Sequence, residues 1–527
     1  MTLLITGGDG RFARALAASL ATDHTVRVID AGFTTALPAG VEACTGDLRD
    51  PEGAAAAVTG VEVLVHLAPI EPVNGDDALA LDLAARGSYT LLNAARQAGV
   101  RRVILGSTLD LFEQLPATWR VTEAWRPRPT LDLNQLRAWL SELEVTDNAR
   151  LGPLFTICLR FGRIVDETEI ARQPFDPGWV HIEDAILGVR RALTFQPQEK
   201  DHSHWHVFHI TAPGPRARIQ WVDAAAAGPD FGYQPTHHLG PGEPEPALPA
   251  DPRPWQDVLA PPAMASRVIR NVVVFGAGGP LGAVTATELA PTYRLRLTDA
   301  RPIADIIAEG KPQMPGAPLP SRLGEPHSYR VVDVRDPAQV MAACEGMDAI
   351  LNCSVVRWIA PEAFQVNTVG VYHILRAAQA HGIRRVVLTG PLLVDGPVAV
   401  RAGYAGDYDL TEAAPPRSYD YLYYHSKYLG LEIARVFAEQ SGFEVPVLLY
   451  SGLTDPALPG DPDSTFVVSW ADAARAARRA LEIPNLPSPF ELFHIGVDRP
   501  HRKFDFSKSI TVLGWQPRDR LEHHWQR

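Results

Sequence analysis

The chain has 527 residues, of which 46% are hydrophobic and 21% charged, a composition typical of globular rather than disordered proteins. Acidic residues outnumber basic ones, 61 against 49, and the formal net charge is −12. An acidic surface repels phosphate backbones and anionic lipid, which argues against nucleic-acid or membrane binding as the main function.

The first predicted elements are a strand, a glycine-rich turn and a helix. Apolar residues 3–5 run into Gly7 and Gly10 without the basic segment of a signal peptide, so we interpret them as a buried strand. Glycines at such a turn let the backbone approach a pyrophosphate at the helix N-terminus, which predicts a dinucleotide site. Asp30 ends the next apolar run. A carboxylate there accepts hydrogen bonds from the adenosine ribose and repels a 2′-phosphate, which favours NAD over NADP.

Strands and helices alternate through the rest of the first half. Residues 61–66 and 103–105 are predicted strands, and residues 79–97 have helical spacing. Apolar strands that alternate with helices predict a parallel sheet covered on both faces, the doubly wound α/β arrangement. No apolar run approaches 18 residues, so we expect no membrane span. The four cysteines are isolated, which indicates neither a zinc site nor a disulfide framework and leads us to expect a cytoplasmic protein.

A proline-rich segment at 240–266 separates the first half from a second one that resembles it. Proline at this density sustains neither a helix nor a strand ladder, so we predict a stiff extended linker. After it, residues 272–282 repeat the apolar run and glycine turn of the start, and further matches follow in the same order. This indicates an internal duplication, and we predict two homologous domains, 1–239 and 267–527.

The glycine motifs of the two halves carry a family resemblance. They are Thr6-Gly7-x-x-Gly10-x-x-Ala13 and Gly276-x-x-Gly279-x-x-Gly282. On these motifs both halves resemble the extended short-chain dehydrogenases/reductases, the NAD-dependent epimerase/dehydratase group. The resemblance covers nearly the whole chain outside the linker, and the ending at 513–517 is similar to uronate dehydrogenases and short sugar epimerases.

This resemblance implies two tandem Rossmann-type doubly wound parallel-sheet domains, each with a small C-terminal substrate lobe, and NAD as cofactor. The residues that it implies for NAD binding in the second copy are Gly276, Gly279, Pro280, Leu281, Gly282, Asp299, Asp333, Val334, Cys353 and Ser354. Those implied in the first copy are Gly7, Gly10, Arg11, Phe12, Asp30, Asp47, Leu48 and Leu67.

The Tyr-x-x-x-Lys signature of this family is present in the second copy as Tyr423 and Lys427. Four residues make about one helical turn, so the two side chains share a face, and the ammonium is expected to lower the pKa of the phenol. Tyrosine can then exchange a proton with a substrate hydroxyl near neutral pH. The family's hydroxyl residue after the fifth strand is replaced by Pro391, and Thr389 is the nearest substitute. The resemblance also implies that Asn367 mainly braces the backbone.

The first copy lacks this pair, and we predict that it does no conventional redox chemistry. The aligned positions hold Asn134 and Ala138, or Leu133 and Arg137 after a shift of one residue. Arg160, which we match with Tyr450, either binds a substrate carboxylate or forms a salt bridge under the lobe, and we favour the salt bridge. The histidines at 202, 204, 206 and 209 are interpreted as a solvated edge, so we predict no metal site.

Three hypotheses follow for the whole chain. The first is an NAD-dependent epimerase or dehydrogenase that acts on a sugar-like or nucleotide-sugar substrate through the second copy. The first copy would then be an inactive pseudo-dimer partner, its residues 131–140 against 423–440. The second hypothesis is a non-catalytic NAD-binding protein with a structural or sensing function, and the third is a scaffold without nucleotide. Epimerisation and oxidation stay open, and dehydration is least favoured because residues 390–392 supply no acid.

Overall fold

The chain divides into two compact units, Met1–Leu259 and Ala260–Arg527. The computed structural model describes residues 1–73, 75–116, 119, 121–152, 154–197, 203–212, 231–240, 260, 268–393, 409–416, 418, 421–459, 466–497 and 503–525. Apart from Gly240 and Ala260, the predicted linker at 240–266 lies outside the described residues, so its boundaries stay a prediction, as does the pseudo-dimer packing. Within the described parts, we find no helix that is both long and apolar enough to cross a membrane.

The first unit is built on a seven-stranded parallel sheet. Its strands are β1 (Thr2–Thr6), β2 (Thr25–Asp30), β3 (Val41–Thr45), β4 (Val63–His66), β5 (Arg102–Thr108), β6 (Phe155–Phe161) and β9 (Trp205–Ile210). They pair in the order β3-β2-β1-β4-β5-β6-β9. The order reverses between β1 and β4, and in sheets of this kind ligands bind outside the carboxyl ends of the strands at that reversal. Two short strands, β7 (Arg163–Val165) and β8 (Trp179–His181), form a separate parallel pair.

Helices cover both faces of this sheet. They are α1 (Arg11–Leu20), α2 (Pro51–Val58), α3 (Asp77–Asp82), α4 (Ser88–Ala98), α5 (Leu133–Arg150), α6 (Glu167–Arg172) and α7 (Ile182–Thr194). Helix α5 begins where the Asp132 carboxylate accepts the N–H groups of Asn134 and Gln135, a typical N-cap. The core lies on both faces because alternate residues of a buried strand point to opposite sides: Leu3 and Ile5 belong to one cluster and Leu4 to the other.

The second unit repeats this architecture. Its strands are β10 (Asn271–Phe275), β11 (Arg294–Asp299), β12 (Ser328–Val331), β13 (Ala349–Asn352), β14 (Arg385–Pro391), β15 (Val445–Tyr450) and β18 (Phe490–His494), paired in the order β12-β11-β10-β13-β14-β15-β18. A separate parallel pair is formed by β16 (Gly452–Thr454) and β17 (Val467–Ser469). The helices are α8 (Pro280–Leu289), α9 (Ile303–Glu309), α10 (Pro337–Cys344), α11 (Ala360–Phe364), α12 (Gly370–His381), α13 (Leu422–Ser441), α14 (Trp470–Glu482) and α15 (Ser507–Thr511).

The structure confirms the predicted fold class of two doubly wound parallel sheets. The predicted strand at 61–66 forms as Val63–His66, and the predicted helix at 79–97 lies within 77–98. A π-helical turn at Leu83–Gly87, which the helical spacing did not indicate, interrupts that helix. The second unit has a π turn at Gln365–Val369 in the matching helix, so the two copies share this irregularity as well.

Candidate active site

The glycine turn of the second unit lies directly against the loop that follows β13. Gly276 has a φ of +74°, and a Cβ atom there would stand 2.7 Å from the Ser354 nitrogen and 2.8 Å from the Cys353 carbonyl carbon. Only glycine fits this close approach of two backbones. Gly279 caps α8, whose N-cap makes no side-chain hydrogen bond. The N–H groups of the first turn of α8 are therefore not taken up by a side-chain cap, and their binding of a phosphate stays a prediction.

Asp299 lies at the end of β11, beside this turn. Its Oδ2 accepts the Gly278 N–H at 3.0 Å, and burial raises the pKa of the carboxyl. Arg301, a nearby cation of the kind that would favour a 2′-phosphate, forms an ion pair with Glu309. A carboxylate whose neighbouring arginine is already paired suits the ribose hydroxyls of NAD better than the 2′-phosphate of NADP.

Other predicted NAD contacts of the second unit closely follow strands β12 and β13. Asp333 is bound by the Arg335 guanidinium, which lowers the pKa of its carboxyl. Val334 is buried, and its carbonyl oxygen lies 2.9 Å from His373 Nδ1. Burial raises the pKa of the Cys353 thiol to about 12, so this thiol is neutral near pH 7.

Lys427 forms hydrogen bonds at the carboxyl ends of two central strands, β13 and β14. Helix α13 begins at Leu422, so Tyr423 lies in its first turn and Lys427 one turn later. Lys427 Nζ donates to the Ser354 carbonyl at 2.7 Å and to the Thr389 carbonyl at 3.3 Å. The side chain is only 4% exposed, and burial lowers the pKa of its ammonium to about 8. The two carbonyl oxygens orient the ammonium at the carboxyl edge of the sheet.

Tyr423 departs from the sequence expectation in one respect. The pKa of its phenol is raised rather than lowered, because burial disfavours the phenolate more than nearby cations favour it. The cation that opposes the rise is Arg357, whose guanidinium carbon lies 5.2 Å from the Tyr423 ring centroid. Arg357 was not among the residues predicted for this site. The sequence feature that indicates it is a basic residue in the loop after β13, because this fold binds ligands at the carboxyl ends of its strands.

The hydroxyl of Thr389 bonds to the backbone. Its Oγ1 donates to the Asn352 carbonyl at 2.9 Å, while Pro391 ends the strand opposite Tyr450. Asn367 braces the same region, as expected: its Nδ2 donates to the Val356 carbonyl at 2.6 Å and to Ser426 Oγ at 2.9 Å. This amide ties the loop that carries Arg357 to the helix that carries the Tyr-Lys pair.

The first unit keeps the turn and the acid of the second. Gly7 has a φ of +70°, and Asp30 Oδ2 accepts the Asp9 N–H at 3.1 Å, as Asp299 accepts that of Gly278. Arg11, however, is directed away from the turn, toward Asp166 at 3.0 Å and Glu169 at 2.7 Å.

The remaining predicted NAD contacts of the first unit are engaged elsewhere or buried. Asp47 pairs with Arg49 at 2.7 Å, and Leu67 is fully buried in the core. Phe12 and Leu48 are buried as well, with exposed fractions of 4% and 8%. The matching side chains of the second unit are engaged or buried in the same way, because Asp333 pairs with Arg335 and Val334 and Cys353 are buried.

An arginine stands in the first unit where the second has its lysine. Arg137 Nη2 donates to the Ala68 carbonyl at 2.7 Å, and Ala68 follows β4 as Ser354 follows β13. Arg137 Nη1 also donates to Asn134 Oδ1 at 3.2 Å. Burial lowers the pKa of Arg137 to about 10, which leaves it charged near neutral pH. Neither Leu133 nor Asn134 supplies a phenol, so this unit has a cation without a base.

Arg160 forms the buried salt bridge that we favoured. Its Nε and Nη2 donate to the two oxygens of Glu142 at 2.9 and 2.8 Å, and Ser107 Oγ donates to the same carboxylate at 2.6 Å. The match of Arg160 with Tyr450 is wrong by one residue. Arg160 pairs with Ser107, and in the second unit it is Leu449 that occupies the corresponding place beside Gly390.

Two protein families match the chain, one in each unit. Residues 7–148 match a family described as NAD(P)H-binding, and residues 272–489 match the NAD dependent epimerase/dehydratase family. The uronate dehydrogenase of Pseudomonas syringae pv. tomato is 29% identical over 219 residues, which cover 41% of this chain and 71% of the relative. The L-arabinose 1-dehydrogenase (NAD(P)(+)) of Haloferax volcanii is 24% identical over 271 residues, or 47% and 96% of the two chains.

The chain is also similar to solved structures. A mutant uronate dehydrogenase from Agrobacterium tumefaciens in complex with NAD is 23% identical, with a TM-score of 0.39 over 48% of this chain and 86% of that one. A UDP-glucose 4-epimerase from Thermotoga maritima is 15% identical, with a TM-score of 0.37 over 48% and 98% of the two chains. Each of these relatives spans less than half of this chain.

Proposed function

Since the chain is a tandem duplication within the NAD-dependent epimerase/dehydratase family, we propose that its second unit oxidises a hydroxyl of a sugar or sugar acid with NAD. The first unit, in this proposal, is not catalytic. Oxidation is the step that dehydrogenases and epimerases of the family share, so the proposal does not depend on whether the carbonyl product is released or reduced again.

One observation carries the proposal. The segment at Ser354 contacts the glycine turn through its nitrogen, because Gly276 packs against it, and contacts Lys427 through its carbonyl oxygen at 2.7 Å. The glycine turn, which suits a pyrophosphate, and the Lys427 ammonium, one helical turn from Tyr423, therefore both contact Ser354. This supports a proton acceptor close to the bound cofactor, as dehydrogenation of an alcohol requires.

The proposed chemistry follows from these residues. The turn at Gly276 and the first turn of α8 hold the pyrophosphate, and Asp299 accepts hydrogen bonds from the ribose. When bound, NAD supplies the acceptor for the hydride that leaves the substrate carbon. As the phenolate, Tyr423 takes the proton of the hydroxyl on the same carbon, so that the C–O bond becomes a carbonyl and the phenolate becomes a neutral phenol. Lys427, one helical turn away, stabilises the negative charge of the phenolate before it takes up the proton.

Arg357 supports a substrate that carries a carboxylate. Its guanidinium lies beside the Tyr423 ring, and none of the ion pairs between described residues includes it. Arginine binds carboxylates with two parallel hydrogen bonds, which gives both affinity and orientation. Trp358, 73% exposed, adds an aromatic surface beside Tyr421, at 5.9 Å between ring centroids. The uronate dehydrogenases among the relatives act on sugar acids, in agreement with this choice of substrate class.

The test is a turnover assay with a matched pair of variants. Purified protein is incubated with NAD and a panel of uronic acids and neutral sugars, and the NADH absorbance band is followed. We expect oxidation of at least one uronic acid, and a loss of kcat of about 10²–10⁴-fold in Tyr423→Phe. Tyr424→Phe is the control, because this neighbouring ring lies 5.3 Å away on the same helix. Equal activity of Tyr423→Phe and wild type would refute the proposal.

A second candidate is a non-catalytic NAD-binding protein. It is favoured by the hydroxyl of Thr389, which bonds to the Asn352 carbonyl, and by Pro391 in the place of the family's hydroxyl residue. The same assay separates the two functions. Stoichiometric NAD binding without turnover of any sugar in the panel would support the binding protein.

A further inference from the structure

The first unit has an intact scaffold for a dinucleotide. Its glycine turn has the same backbone conformation as that of the second unit, and Asp30 has the same hydrogen bond as Asp299. On these features alone, both units would bind NAD. The difference between the units lies in the loop that follows the fourth strand of each sheet.

In the first unit this loop sends a carboxylate into the glycine turn. Glu71 Oε1 accepts the Ala13 N–H of helix α1 at 2.9 Å, and the Phe12 N–H bonds to the same carboxylate. A Cβ atom on Gly10 would stand only 2.2 Å from the Glu71 carboxyl group. The Glu71 side chain is 7% exposed. The carboxylate therefore fills the space over the first turn of α1.

This is the position that a pyrophosphate requires. A helix N-terminus binds one anion through its free N–H groups, and the helix dipole favours negative charge there. Burial raises the pKa of Glu71, and the N–H groups of Ala13 and Phe12 oppose that rise. In the second unit, by contrast, a Cβ atom on the equivalent Gly279 would meet no side chain within 4 Å, and its nearest neighbour would be the Gly276 carbonyl oxygen at 3.5 Å.

Arg137 holds the loop in this conformation. Its Nη2 donates to the carbonyl oxygens of both Ala68 and Glu71, at 2.7 and 2.9 Å. The fifth residue after the strand is Glu71 in the first unit and Arg357 in the second. The two loops thus differ in charge at corresponding positions. The loop of the first unit covers its glycine turn with Glu71, whereas the loop of the second unit leaves its turn uncovered and carries Arg357 beside Tyr423.

We infer that Glu71 is a built-in substitute for the pyrophosphate, which closes the dinucleotide site of the first unit so that the chain binds a single NAD. The second unit is then the only one with an open turn among the described residues. The inference concerns binding alone and holds whether or not the second unit turns over a sugar.

Calorimetric titration of the full chain with NAD tests this inference. We expect one NAD per wild-type chain and two per chain in Glu71→Ala, the second site opening when the carboxylate is removed. Glu52→Ala is the matched control, since it removes an exposed acid from the same unit, and it should still bind one. Two NAD per wild-type chain would overturn the inference. So would a folded Glu71→Ala protein, judged by circular dichroism, that binds only one.

A second variant keeps the inference testable if Glu71→Ala does not fold. Asp299→Arg removes the ribose acceptor of the second unit and leaves the first unit unchanged. With the first site closed, this chain should bind no NAD at concentrations that saturate the wild type. One tightly bound NAD per Asp299→Arg chain would show that the first site is open, and the inference would be wrong.

Discussion

Arg137 donates to the carbonyl oxygen of Ala68 at 2.7 Å, the same distance at which Lys427 donates to that of Ser354. The two carbonyls follow equivalent strands, so the duplicated chain has kept a cation at this position in both units. Only the second unit also has a phenol beside it. The first unit thus retains the contact that orders the loop and lacks the phenol that we propose as the proton acceptor.

Gly276→Ala should weaken NAD binding by the second unit. The added methyl group would lie 2.7 Å from the Ser354 nitrogen, at a φ of +74°, so the turn and the loop must separate. We expect NAD affinity to fall at least about tenfold, or about 1.4 kcal/mol, by calorimetric titration. Gly310→Ala is the control. Its φ is +57° but nothing lies within 4 Å, so it introduces backbone strain without the clash. Equal loss in both variants would contradict this explanation.

The depressed pKa of Lys427 predicts how stability changes with pH. In the folded protein this ammonium titrates at about 8 rather than 10.5, so between these values the unfolded chain binds more protons. The penalty for the buried charge is therefore full below pH 8 and disappears as the pH rises to 10.5, a gain in stability of about 3 kcal/mol. Lys427→Met should lack this gain. Chemical denaturation across this pH range measures it, with Lys508→Met as the control, because Lys508 is a partly exposed lysine paired with Glu491. An equal gain in stability between pH 8 and 10.5 in Lys427→Met would contradict the prediction.

Arg357→Gln should weaken substrate binding selectively. If this guanidinium binds a carboxylate, KM for a uronic acid rises about ten- to a hundredfold, while KM for a neutral sugar changes little. The substitution also removes the cation that opposes the raised pKa of Tyr423. The rise of kcat/KM with pH should therefore move to higher pH for either substrate. Arg357→Lys keeps the charge and should restore the pH profile. An unchanged preference for uronic acids would count against the proposed substrate class.

Breaking the pair of Arg160 and Glu142 should destabilise the first unit. Both side chains are buried, and loss of one partner leaves an uncompensated charge, which costs about 3–5 kcal/mol. Arg160→Met should therefore lower the unfolding temperature by several degrees in a calorimetric scan. Arg101→Met is the comparison, because its pair with Glu62 is exposed and contributes at most about 1 kcal/mol. NAD binding by the second unit should survive both substitutions. A negligible effect of Arg160→Met would show that the pair has no structural importance.

Local patterns in the sequence determined the fold and the main parts of the candidate site. The glycine turns, the acids at 30 and 299, and the spacing of Tyr423 and Lys427 depend on a few neighbouring residues within one turn or one helix. Such patterns can be interpreted without the tertiary structure, because glycine at a positive φ and one turn of helix are local constraints. The duplication was readable for the same reason, since both copies preserve these constraints in the same order.

Only the tertiary structure decided which charges meet. Glu71 reaches Ala13 across 58 residues, Arg137 reaches Ala68 across 69, and Arg357 comes to lie beside Tyr423 on another element. These contacts depend on the strand order and on the path of each loop beyond its strand, which residue types alone do not specify. The raised pKa of Tyr423 has the same origin, because burial is a property of the packed protein and not of the Tyr-Lys spacing.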